Sequence, residues 1–133
     1  MNGVFNLTLM KRIAALIALL FAFSAAFAQE DFGCSKPNKK ALKLFEKAQQ
    51  LNFKGEESYR NLIEAVKVQV DYAEALSLLA YINDKKLEQH PENERIRNRV
   101  KSYYEKTRSA CPAYRNYEAT FWLAKYSYDQ RHY

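Results

Sequence analysis

From Pro37 to the carboxyl end, apolar side chains recur at three- and four-residue intervals, the spacing that gathers them on one face of an α-helix. After Pro37-Asn38 the first such stripe is Ala41, Leu44, Phe45, Ala48 and Leu51, and Gly55 is expected to end that helix. A second helix is expected from about Glu57, with Tyr59, Leu62, Ile63, Val66 and Val70 as its stripe and Asp71-Tyr72 as a tight connection. The third runs from about Ala73, with Leu76, Leu79, Ala80 and Asn83 facing inward and Asp84-Lys85-Lys86 at its polar end. His90-Pro91-Glu92-Asn93 breaks the pattern. A fourth helix from about Glu92 sets Ile96, Val100, Tyr103, Tyr104 and Thr107 against a basic side, and Cys111-Pro112 stops it, since proline cannot continue the helical hydrogen-bond ladder. The fifth begins near Asn116 and carries Tyr117, Phe121, Ala124 and Tyr128 along one face, with Trp122 and Leu123 beside them. Strand-type alternation is absent over any useful length. The pattern therefore predicts an all-α fold of about five helices.

The amino end follows a different logic. Lys11 and Arg12 precede an uninterrupted apolar run, Ile13 to Phe23, and Ala26-Phe27-Ala28 then supplies a small-x-small cleavage pattern. Residues 1–28 read as a secretory signal peptide, with the mature chain starting at Gln29 in an irregular lead-in, 29–36. A retained anchor is the competing reading, but the apolar run is well short of the roughly 20 residues that span a bilayer. Lipid attachment at Cys34 is disfavoured, because Asp31-Phe32-Gly33-Cys34 lacks the aliphatic residue expected before a lipoprotein cysteine. The chain is thus expected outside the cytoplasm, periplasmic or associated with an outer membrane.

Charge narrows the partners. The sequence holds 21 basic and 15 acidic residues; the signal takes two cations and no anion, which leaves a formal charge of +4. With export, that modest excess argues against nucleic acid. The strongest electrostatic feature is the fourth helix, where Arg95, Arg99 and Lys106 are candidates for a basic contact face, weighed against an ordinary solvated helix side. Cys34 and Cys111 persist in a compartment that permits disulfides. They either pair or stay as two separate small apolar residues, and the sequence leaves both open. Neither has a cysteine or histidine at metal-ligand spacing. His90 and His132 lack a nucleophile or carboxylate at a telling spacing, and Gly33 and Gly55, the only glycines after the signal, make no phosphate loop. No enzyme, cofactor, metal or small-molecule substrate is therefore expected.

The connections Pro37-Asn38-Lys39-Lys40-Ala41, Val70-Asp71-Tyr72-Ala73 and Pro112-Ala113-Tyr114 occupy equivalent places, 33 and 42 residues apart. In that register Leu44, Ala48, Leu51 and Gly55, then Leu76, Leu79 and Ala80, then Leu123 and Ala124 resemble the tetratricopeptide repeat family, whose period is about 34 residues. Ala65 before Val70-Asp71-Tyr72-Ala73 and Tyr104 and Thr107 before Pro112 resemble the family's closing turn. Val70 departs from the usual proline, and the second unit is about eight residues too long between Asn83 and Ile96. The resemblance implies a short right-handed solenoid of antiparallel helix pairs over 37–70, 71–112 and an incomplete third unit, 113–133. Ala48, Ala80 and Ala124 would sit where paired helices approach closely.

Export, an early cysteine and the stretch Tyr117 to Tyr126 are similar, more narrowly, to the amino-terminal repeat region of bacterial envelope proteins that also carry a WD-repeat-like propeller and an OmpA-like domain. That similarity implies the front piece of a longer envelope protein, associated with outer membrane or peptidoglycan through domains beyond Tyr133. Its function would be a protein-interaction scaffold that binds a protein or peptide in a groove containing Tyr81 and Tyr126. A structural spacer, or an unrelated periplasmic helical bundle, is the alternative.

Overall fold

The computed structural model describes residues 32–131. The signal segment 1–28, the first residues of the lead-in, His132 and Tyr133 lie outside them. Five helices follow in order: α1 (Lys39–Gln50), α2 (Gly55–Val68), α3 (Ala73–Gln89), α4 (Glu94–Ala110) and α5 (Glu118–Arg131). The fold is all-α, and none of the described helices is long and apolar enough to cross a membrane.

Local chemistry sets the boundaries. Asn38 opens α1, its side-chain oxygen accepting from the Ala41 N–H at 2.9 Å, and Asn93 does the same for α4 through the Ile96 N–H at 3.1 Å. Gly55 does not end α1. The helix closes at Gln50, where the Phe53 and Asn52 N–H groups return to the Ala48 and Gln49 carbonyls at 3.0 and 2.8 Å, with Asn52 in the left-handed region. Asparagine tolerates that conformation, so the turn forms before the glycine is reached, and Gly55 instead begins α2. The second pair's extra length enters its helices, 17 residues each in α3 and α4 against 12 and 14 in α1 and α2. α3 accordingly runs straight through Asp84-Lys85-Lys86. The fifth helix starts later than Asn116, after three left-handed residues, Arg115, Asn116 and Tyr117.

Each helix packs chiefly on its neighbours in the chain, α1 on α2, α2 on α3, α3 on α4 and α4 on α5. Small residues let the first pair close. Ala48 and Ser58 are both fully buried, and the Ser58 hydroxyl donates to the Ala48 carbonyl at 3.2 Å. One core cluster joins Ala41, Phe45, Leu62, Ala65, Tyr72 and Leu79, and a second joins Ala80, Val100, Tyr104, Ala119 and Leu123. α3 contributes to both and is the shared wall. Its buried polar residue Asn83 is satisfied, donating to the Leu79 carbonyl at 2.7 Å and to the Tyr59 hydroxyl at 3.1 Å.

α5 differs from the expected face. Ala119 and Leu123 point into the core and Trp122 stacks between Tyr104 and Tyr126, with centroids 4.6 and 5.1 Å away. Phe121 is 73% exposed, and Tyr117, Ala124 and Tyr128 are also exposed. Two apolar stripes compete on this helix. The one that wins offers Trp122 a flat partner in Tyr104.

The lead-in is fastened at several points. Cys34 and Cys111 form a disulfide with their Cα atoms 5.2 Å apart. Phe32 meets Tyr114 edge-on at 5.9 Å. Gln69 clamps the segment from the other side, accepting from the Asn38 N–H at 2.6 Å and donating to the Lys36 carbonyl at 3.1 Å. The Ser35 hydroxyl hydrogen-bonds to Asp71 and lowers its pKa.

Candidate functional site

A groove of about 480 Å³ is shared by α1, α3 and the approach to α5. α3 supplies Glu74, Ser77, Leu78 and Tyr81, a stripe at the i, i+3, i+4, i+7 spacing of one helix face. It can do so because the helix's other faces are already committed, Ala75 and Leu79 to the first cluster and Ala80 to the second. From α1 and its closing turn come Phe45, Gln49 and Phe53, the two rings 5.4 Å apart. Tyr114, Arg115 and Glu118 form the far wall. The groove is thus aromatic along its sides and carries two carboxylates and one guanidinium.

Its electrostatics are unbalanced. Burial raises the Glu74 pKa, and no cation among the described residues acts to lower it. Burial, reinforced by Glu74, also pushes the Tyr114 hydroxyl up to about 12. Tyr72, buried with its ring 5.4 Å from Phe45, is raised by the same two causes. Its hydroxyl has no hydrogen-bond partner. Glu118 Oε2 lies 3.2 Å from Arg115 Nε, an ion pair without hydrogen-bond geometry.

The sequence-derived candidates fall in different places. Tyr81 lines this groove and is half exposed. Tyr126 does not join it. It stands with Trp122, Asp84 and Asp129 in a separate hollow of about 660 Å³ between the end of α3 and α5. There burial, then Glu88, raises the Asp84 pKa, and the Trp122 side chain donates to the carboxylate. Arg95, Arg99 and Lys106 are exposed on α4. Lys106 lies over the Tyr103 ring, 5.7 Å from its centroid, while Lys101 pairs with Glu105 at 3.9 Å. His90 is exposed near Glu92, 4.0 Å away, and no group of three metal-ligating side chains occurs among the described residues. Sequence reasoning missed Glu74, Phe53 and Tyr114 as groove residues. The signal was available in α3, where Glu74, Ser77, Leu78 and Tyr81 share one face at helical spacing, with Leu78 also packed against the first cluster.

Comparison with protein-family models, with characterised proteins and with solved structures finds no match to this chain.

Proposed function

We propose that this chain is an exported interaction scaffold of tetratricopeptide type that holds a peptide segment of a partner protein in the groove of α1, α3 and α5. The observation that carries the reading is the makeup of that groove: three alternate helices contribute to one trough lined by Phe45, Phe53, Tyr81 and Tyr114. Aromatic side chains in a preformed trough supply large contact area at low entropic cost, which is what peptide anchors need. The neighbour-to-neighbour packing of the helices is compatible with a stacked repeat, in which alternate helices share one surface. The signal pattern of residues 1–28 supports export, and the Cys34–Cys111 disulfide is at home in an oxidising compartment.

A photo-crosslinking amino acid placed at Gln49, in the groove, and at Arg60, on α2 outside it, tests the reading in cells. Adducts to a discrete protein are expected from position 49 and not from position 60, and Tyr81→Ala removes them. Equal adducts from both positions, or none, would refute groove binding. Export is checked separately by fusing a phosphatase that folds only outside the cytoplasm; deleting residues 1–28 should abolish its activity.

A further inference from the structure

Glu74 is an exposed residue whose carboxylate is partly desolvated, and no ion pair or side-chain hydrogen bond joins it to a described residue. In and beside the groove lie two oxygen atoms without a hydrogen bond among the described residues. The Tyr72 hydroxyl is unpartnered on a side chain only 2% exposed, and Glu74 and Tyr114 act on it electrostatically. Tyr114 in turn is acted on by Glu74, then in the opposite sense by Arg115, and last by Glu118. Glu118 Oε2 is buried and lacks a hydrogen bond. Among the described residues the only cation in the lining, Arg115, is already engaged with Glu118. Two carboxylates against one guanidinium leave the groove one positive charge short. A buried acceptor without a donor is costly, and a ligand that brings donors relieves that cost on binding.

The rings point the same way. Tyrosines of this molecule already take up ammonium groups, Lys86 over Tyr59 at 4.5 Å and, at the groove's own Tyr81, Lys85 at 5.6 Å from the ring centroids. Tyr114 offers its ring beside the unneutralised carboxylate. Phe32, held by the adjacent disulfide, meets that ring edge-on.

We propose that the groove recognises a basic side chain, lysine or arginine, of a partner's extended peptide segment, seated between Glu74 and Glu118 against the Tyr114 ring. The assignment rests on the groove being a peptide site. The cation's donors reach Glu74 and the Tyr114 hydroxyl, and the net charge of the described lining residues falls to zero. Tyr81 lies two helical turns from Glu74, about 10 Å along α3, and receives the peptide about three residues further on.

The test uses the full-length chain, immobilised, and five degenerate dodecapeptide pools with random flanks and a fixed central Arg, Lys, citrulline, Gln or Glu. Retention of the Arg and Lys pools should exceed that of the citrulline and Gln pools by about tenfold, equivalent to roughly 1.4 kcal/mol, with the Glu pool weakest. Glu74→Gln should erase the preference while keeping charge-independent retention, and its helical circular dichroism should match the parent. Should that variant fold poorly, Glu118→Gln must show the same loss. Equal retention of all five pools overturns the cation assignment and leaves the peptide groove standing, as does a preference that survives in both variants. Retention of none overturns the peptide site and this assignment with it.

Discussion

Tyr72 holds a ring that the core needs and a hydroxyl that the core does not satisfy. The ring packs on Phe45 within the first cluster, while the oxygen lies buried without a partner. Tyr72→Phe keeps the packing and removes the stranded polar atom, so it should stabilise the fold by about 1 kcal/mol, read as a higher urea midpoint with an unchanged slope. Glu74 poses a milder version in ionised form, since it is partly desolvated on an exposed residue. Its folded pKa is raised by burial although the residue keeps solvent access, so folding shifts its balance modestly toward the protonated carboxyl. Its stabilising contribution is fully present below the unfolded carboxylate value and is lost as pH rises through the raised folded value. Glu74→Gln should therefore raise stability at neutral pH and change little in acid, and urea titrations across that range measure the difference. A neutral-pH loss of stability in the variant would mean that Glu74 already has a cationic partner in the free protein.

At the scale of the element, α5 separates periodicity from packing. Leu123 is 7% exposed inside the second cluster and Phe121 is 73% exposed beside it. Leu123→Ala should cost about 2–4 kcal/mol, whereas Phe121→Ser should change stability by less than about 0.5 kcal/mol; thermal melts of the two variants decide between the stripes. The same contrast explains what was legible beforehand. Helices α1, α2 and α4 each have one dominant apolar stripe and α3 is buried on more than one side, and Ala41, Phe45, Leu62, Leu79, Val100 and Tyr104 are buried as their spacing requires. α5 has two stripes of similar strength, and the choice rests on the Tyr104–Trp122 stack, a contact between helices that no local spacing contains. The groove was half legible for a related reason. Tyr81 is a visible aromatic on α3, but Phe53 and Tyr114 come from turns, and Glu74 matters only because its neighbours are buried. The pairing of Cys34 with Cys111 was likewise beyond sequence, since it depends on Gln69 and Asp71 drawing the lead-in back over the chain.

At the scale of the molecule, the disulfide encloses α1 to α4 and excludes α5. The closed loop spans 77 residues of separation, and restraining a loop of that size in the unfolded chain is worth about 2–4 kcal/mol. α5 lies beyond Cys111 and rests on α4, with Ala80 of α3 in its cluster, so its detachment exposes one helix interface without opening the loop. These two facts give separable stabilities. In native-state hydrogen exchange, amides of α3 between Leu76 and Asn83 should exchange only through global unfolding and lose the full 2–4 kcal/mol in a Cys34→Ser, Cys111→Ser variant. Amides of α5 near Leu123 should exchange through a smaller local opening whose free energy is the same with or without the disulfide. If α5 protection falls together with that of α3, the helix is part of a single cooperative unit, and the coupling must pass through Trp122 and its stack on Tyr104. Repeating the measurement with Trp122→Leu then distinguishes them: the α5 opening should become easier while α3 keeps the dependence on the disulfide that its place inside the closed loop dictates.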